Sequence, residues 1–200
     1  DLRAQFSLAG GRLTGVAGYF YGDFANDRDS LVRARLFANG PILTIQNLFS
    51  RAQTTNRAGY GEARWEFVDR WFLIGGLRYD RERTEESLTN RINRVTTVSR
   101  AEFDEWLPKA GIAHALTPDR SIAATATKGY RAGFFEQGRE VEPEELWSYE
   151  LAYRSQWLER RLTANVNLFY YDWDNQQITV PSPANPFLSI TTNAGKSSAY

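Results

Sequence analysis

The sequence predicts an all-β fold: an antiparallel transmembrane β-barrel, represented here by a run of about nine strands. Three observations predict it. Strand-length segments alternate apolar and polar residues with period two. Their charges fall on the face opposite the aromatic residues. Connections alternate between short turns and long polar segments, the loop asymmetry of outer-membrane barrels, whose short turns lie on the periplasmic side.

The clearest hairpin is residues 141–173, VEPEELWSYELAYRSQWLERRLTANVNLFYYDW. Trp147, Tyr149, Leu151, Tyr153 and Trp157 share one parity, and Ser148, Glu150, Ala152, Arg154 and Gln156 share the other. After the turn at Leu158-Glu159-Arg160-Arg161, Leu162, Ala164, Val166, Leu168 and Tyr170 oppose Thr163, Asn165 and Asn167. Each strand exceeds the usual ~5–6 residues and matches the ~9–11 of a tilted membrane crossing.

From the start of the chain, residues 2–8 and 13–24 alternate around a turn at Ala9-Gly10-Gly11. Residues 25–55 read as a long connection with an apolar patch at 42–49, a small strand or a helical turn. Gly59, Gly61, Ala63, Trp65 and Phe67 then oppose Tyr60, Glu62, Arg64 and Glu66. Val68-Asp69-Arg70 turns the chain, and Trp71, Leu73, Gly75, Leu77 and Tyr79 return on one face. Residues 81–100 read as a second long polar connection. A hairpin over 101–131 follows, turning at Leu116-Thr117-Pro118-Asp119-Arg120, where proline and aspartate suit a turn. Residues 132–145 read as a loop with a solvated acidic run, Glu140, Glu142, Glu144 and Glu145. Residues 174–189 read as another loop, with Pro181, Pro183 and Pro186, and a last strand is expected from Ile190.

Energetics agree with a membrane setting. A charge facing lipid near the midplane costs ~2–4 kcal/mol, and Glu62, Arg64, Arg78, Glu150 and Arg154 all avoid the apolar face. Trp65, Trp71 and Trp157 sit beside short turns; Tyr21, Tyr79, Trp106, Trp147 and Tyr170 sit toward long connections. These are two interfacial girdles. The hydrophobic fraction of 42% and a mean hydropathy of −0.50 fit strands with one polar face. Equal numbers of basic and acidic residues, 24 each, argue against a nucleic-acid partner. The absence of cysteine excludes disulfides and thiolate chemistry within these residues.

Several segments resemble TonB-dependent outer-membrane receptors. Residues 141–151 (VEPEELWSYEL) are similar to the family's "PE…W-S-Y-E-L-G" stretch, and residues 128–134 (KGYRAGF) to its "K-G-Y/F-R-A-G-F" strand end. Residues 75–79 (GGLRY) and 106–111 (WLPKAG) resemble two further strands, in matching order over 59–200. The resemblance implies a plugged barrel of about 22 strands, of which this chain is less than half. It implies that residues 1–200 belong to the barrel domain, with plug, TonB-contacting segment and closing strands outside them. An open arc has two unpaired edges, which lipid does not tolerate, so the arc alone is not expected to insert or transport.

The function implied is TonB-dependent uptake of a large scarce ligand across the outer membrane of a Gram-negative bacterium, most often a ferric siderophore. The partners implied are outer-membrane lipid, the TonB complex and that small-molecule ligand. Rivals are a passive porin, a barrel enzyme and a soluble carbohydrate-binding sandwich. No catalytic, metal-binding or cofactor-binding residue is assigned: the single histidine, His114, shares parity with Trp106, Ala110 and Ile112 and belongs at the periplasmic interface. Ligand contacts are expected from Arg131, Phe134 and Phe135 at one strand end, and from Trp173 and Gln176 at the next. There, arginine pairs with an anionic chelate and aromatics stack on a planar one.

Overall fold

A computed structural model describes residues 1–35, 37–136, 139–183 and 185–200, with backbone alone over 185–188. Along the chain the strands are β1 (Leu2–Leu8), β2 (Leu13–Arg35), β3 (Ile42–Val68), β4 (Trp71–Asn90), β5 (Val95–Thr117), β6 (Arg120–Arg131), β7 (Phe134–Glu136), β8 (Arg139–Val141), β9 (Glu144–Trp157), β10 (Leu162–Asp174), β11 (Gln177–Ser182), β12 (Asn185–Asn193) and β13 (Ser197–Ala199). Nine of them form one antiparallel sheet, ordered β1-β2-β3-β4-β5-β6-β9-β10-β13. The pairs β7–β8 and β11–β12 are separate hairpins inserted where long loops were expected.

The short turns demand unusual backbone. Ala9, Gly10 and Gly11 take φ of 52, 66 and 91°, and Arg70 takes 63°. Leu158, Glu159 and Arg160 are all left-handed, at 53, 56 and 68°. Two or three residues with positive φ reverse a strand without splaying it.

The sheet is inverted relative to a water-soluble protein. Among the described residues only Ala58 and Val141 are buried apolar side chains, whereas Asp80, Thr84 and Glu86 are buried polar ones. Leu73, Leu77, Ile112, Leu151 and Leu168 are exposed and, by register, share one face across β4, β5, β9 and β10. A soluble sandwich would bury that face. It is the face expected to meet lipid.

Aromatics bound the band. On the short-turn side Trp71 stacks on His114 at 4.1 Å, and the His114 Nδ1 lies 3.1 Å from the Arg70 carbonyl oxygen. Arg120 lies 3.6 Å over the Trp157 ring, whose Nε1–H donates to Ser155. On the opposite side Tyr79 packs against Trp106 at 4.7 Å. Eight residue steps separate Trp71 from Tyr79, about 26 Å of strand at ~3.3 Å each. At a strand tilt of ~35–45° that spans roughly 20 Å of height, a little less than the ~25 Å apolar band of such barrels.

The structure corrects the reading of residues 25–55 and 81–100 as connections: 25–35, 42–55, 81–90 and 95–100 are strand. β3 runs for 27 residues, roughly 90 Å, so the sheet continues far past the outer girdle. The patch at 42–49 is the start of β3. Beyond the girdle both faces mix polar residues with scattered apolar ones such as Leu31, Ile45 and Val98, so the strict alternation between the girdles disappears. Cross-strand pairs hold the extension instead. Arg51 donates to both carboxylate oxygens of Asp27 (2.9 and 2.8 Å), its partner in register. Arg100 does the same for Glu85 (2.7 and 3.3 Å). Thr54 and Thr84 share a hydrogen bond of 2.9 Å on the inner face.

These ion pairs are expected to make the extension acid-sensitive. Hydrogen bonds from Arg51 and Arg100 hold the carboxyls of Asp27 and Glu85 below their ordinary values of 3.8 and 4.5. A depressed carboxyl stabilises the fold above its unfolded value, and that contribution is lost as pH falls through the folded one. Hydrogen exchange of the extension, corrected for intrinsic rates, is therefore expected to be flat above about pH 5 and faster below about pH 4. The double variant R51Q/R100Q should exchange fast at both. Equal exchange in wild type at pH 3 and pH 6 would refute this.

Candidate ligand site at the outer mouth

The segment after β6 leaves the sheet and folds inward. β5 and β6 pair only as far as Lys109↔Thr127. Where they part, the Lys128 ammonium bridges Glu105 of β5 (2.9 Å) and Glu145 of β9 (2.8 Å). The chain then passes Gly133, which is buried because an added Cβ would meet the Val141 carbonyl oxygen at 2.5 Å and the Phe103 ring at 2.6 Å. This glycine permits a close backbone approach.

The hairpin β7–β8 docks on β11–β12 through side chains that satisfy backbone groups. Gln177 Nε2 donates to the carbonyl oxygens of Ala132 (3.1 Å) and Glu142 (2.9 Å), and its backbone N–H donates to the Glu144 carboxylate at 2.7 Å. Asn193 Nδ2 donates to the carbonyls of Glu142 and Asn175, both at 2.9 Å, and Asn193 Oδ1 accepts from the Glu142 N–H at 3.0 Å. The Glu136 carboxylate accepts the Thr191 N–H. The acidic run is solvated only in part: Glu140 and Glu142 are exposed, Glu144 and Glu145 half-buried. Glu142, Glu144 and Glu145 are structural acceptors, and Val141 is buried within the hairpin.

Between these hairpins and the inner face of the extended sheet lies a cavity of about 550 Å³. One wall is Asn26, Arg28 and Ser30 of β2, Ser50 and Thr54 of β3, and Glu82, Thr84 and Glu86 of β4. Arg131, Phe134, Phe135 and Glu136 close it on one side, with Ser189 and Thr191 beside them. Ser50 donates to Glu86 Oε1, and Asn56 donates to Asp80 (2.6 Å) and Glu82 (3.2 Å). Burial raises the Glu82 carboxyl, against the Asn56 hydrogen bond, and nearby Asp80 raises it further. Two guanidiniums, three carboxylates, hydroxyls and two phenyl rings suit a large polar molecule with apolar surface. No group of three histidine or carboxylate residues able to hold a metal exists among the described residues.

Of the five residues expected at the site, Arg131, Phe134 and Phe135 line this cavity. Trp173 and Gln176 do not. Trp173 ends an aromatic ladder on the inner face of β10, edge-on to Tyr171 at 5.5 Å, which stacks on Phe169 at 4.8 Å. Gln176 is structural: its Oε1 accepts from Ser197 Oγ at 2.8 Å, and its backbone bonds Gly195 and Ala194. Residues 177–182 are also strand rather than loop, and Ile190 belongs to β12, so the ninth sheet strand begins at Ser197. The side chain of Pro186 lies outside the described residues. Sequence reading missed the wall from β2 to β4, because those positions had been assigned to connections.

A family profile described as "TonB dependent receptor-like, beta-barrel" matches residues 1–200. The chain belongs to this family. Among curated relatives, the metal-pseudopaline receptor CntO of Pseudomonas aeruginosa is 26% identical over 140 residues, 68% of this chain and 19% of that protein. The ferric-pyoverdine 358 receptor of Pseudomonas putida is 30% identical over 125 residues, 61% of this chain and 15% of that protein. The chain thus spans about a fifth of these relatives or less. In fold it is similar to the ferric yersiniabactin uptake receptor FyuA from Yersinia pestis, with TM-score 0.77 at 18% identity, covering 98% of this chain and 30% of that one. It is likewise similar to the siderophore receptor PiuA from Acinetobacter baumannii, with TM-score 0.73 at 16% identity, over 97% and 32% of the two chains. The nine-stranded sheet is a partial barrel of the TonB-dependent type.

Proposed function

We propose that these residues form part of the wall and outer mouth of a TonB-dependent receptor that imports a ferric siderophore. The receptor lies in the outer membrane of a Gram-negative bacterium and is a transporter, not an enzyme. Barrel closure, plug and TonB contact are assigned to parts of the protein outside these residues. The observation that carries this reading is the cavity of about 550 Å³ roofed by two docked hairpins, a volume within the ~300–1,000 Å³ of small-molecule sites. The chemistry named for the relatives, metal–pseudopaline and ferric pyoverdine, is of the same kind. Arg131, Phe134 and Phe135 are proposed ligand contacts at the cavity. Trp173 and Gln176 are proposed to act, respectively, on the lumen wall below it and as support.

The test is uptake of radioactive iron by iron-starved cells carrying the full-length receptor. Iron is supplied as hydroxamate, catecholate and hydroxycarboxylate chelates in turn, with the TonB complex intact or disrupted. Uptake of one class, abolished without TonB, is expected. R131A/F135A should raise the half-saturating concentration about tenfold or more, the scale of losing two interface anchors. Uptake that persists without TonB would favour the passive porin, and uptake of no chelate would reject the siderophore.

A further inference from the structure

Two carboxylates on the β4 wall of the cavity lack a cation. Glu82 and Glu86 share the inner face of that strand, on either side of Thr84, and both line the cavity. Four residue steps separate them, about 13 Å of strand. Glu86 is only 6% exposed. One of its oxygens accepts from the Ser50 hydroxyl, and the other is buried with no hydrogen-bond donor. Glu82 is half-buried and accepts from the Asn56 amide at 3.2 Å. Burial holds the Glu82 carboxyl above its ordinary value despite that hydrogen bond, with Asp80 near by adding to the effect.

The wall does not neutralise these charges itself. On the same strand Arg78 is paired with Asp80, and at the cavity's edge Arg131 is paired with Glu144. Arg28, the cavity's other guanidinium, stands two strands away on β2 and forms no ion pair with either carboxylate among the described residues. A carboxylate withdrawn from water is costly unless a cation or several donors answer it. Neither residue belongs to a group of three able to hold a metal ion, so the fitting partner is an organic cation, whose N–H groups supply charge and donors together.

Given the siderophore uptake proposed above, on which this rests, we infer that Glu82 and Glu86 bind a cationic nitrogen, an ammonium or guanidinium, on a side arm of the imported chelate. The ligand is then a chelator with a free basic group beside its metal-binding ones. The two carboxylates select for that arm, while Arg131, Phe134 and Phe135 meet the remainder.

The experiment uses the full-length receptor in a neutral detergent, with binding followed by quenching of tryptophan fluorescence. Probes are three ferric chelates: a trihydroxamate, a tricatecholate and a hydroxycarboxylate. Each is made with a primary amine on a side arm and again with that amine acetylated. In whichever class binds, wild type should hold the amine form about tenfold or more tightly than the acetylated one, the scale of one hydrogen bond to a charged group. E82Q/E86Q, which keeps the side-chain shapes, should weaken the amine form and abolish the preference. If that variant does not fold, the comparison of the two forms on wild type decides alone. Equal binding of both forms by wild type would overturn the inference and leave the siderophore reading standing; the cation would then be a lysine or arginine from the rest of the receptor. A preference retained by E82Q/E86Q would overturn it too. Binding of none of the six chelates would reject the siderophore reading, and the inference with it.

Discussion

Leu151→Arg is expected to destabilise the folded receptor by about 2–4 kcal/mol, the cost of a guanidinium on the lipid face near the midplane. Leu151 sits between the girdles, opposite Leu168 on one neighbour and Ala124 on the other. Leu168 is 62% exposed, so this face has no protein covering to rearrange around a charge. Ala152→Arg, one residue along, projects to the inner face between Glu150 and Arg154, and is expected to cost within about 1 kcal/mol. The two substitutions differ in orientation and hardly at all in position. Urea unfolding of the full-length receptor in lipid vesicles, followed by tryptophan fluorescence, separates them. Equal destabilisation, or a larger loss for Ala152→Arg, would reverse the assignment of faces and with it the membrane reading of the sheet.

Gly133→Val is expected to weaken ligand binding tenfold or more while leaving the barrel intact. A Cβ there meets the Val141 carbonyl oxygen at 2.5 Å and the Phe103 ring at 2.6 Å. One contact is backbone and cannot rotate away, so the hairpin β7–β8 must lift. Overpacking of this kind costs about 1–3 kcal/mol, and a loss of 1.4 kcal/mol in affinity is about tenfold. Because Phe134, Phe135 and Glu136 ride on the same hairpin, the cavity changes shape directly. Gln177→Ala tests the same docking by a gentler route, removing the side-chain bonds to Ala132 and Glu142 but keeping the backbone bond to Glu144. The readout is the affinity for whichever chelate supports uptake, beside the unfolding midpoint. A Gly133→Val receptor with wild-type affinity would mean that the hairpin does not shape the site.

The sequence by itself determined the parts of this protein that must satisfy lipid. Between the girdles each residue falls on either an exposed apolar face or a polar inner one, and the expected penalty for a charge toward lipid leaves a strict period of two. Trp71 to Tyr79 and Trp147 to Trp157 were legible for that reason, down to which face each residue occupies. So were the short turns, where proline, glycine or a pair of charges interrupts the pattern. Strands past the outer girdle were not legible. Arg81, Arg83 and Glu85 point outward, Glu82, Thr84 and Glu86 inward, and a hydropathy pattern cannot distinguish two polar faces.

Only the tertiary structure decided the candidate site. Its wall is built from those hidden extensions, and its roof from two hairpins whose bonds link residues far apart in sequence, Gln177 to Ala132 and Thr191 to Glu136. Position at a strand end picked out Arg131, Phe134 and Phe135, which line the cavity. The same rule, applied one connection later, took Trp173 and Gln176 for ligand contacts, although they line a different part of the lumen and support a turn. A residue's position at a strand end says that it is near the mouth. Whether it meets the cavity depends on how the chain beyond it folds back, and that is set by long-range hydrogen bonds with no local signature.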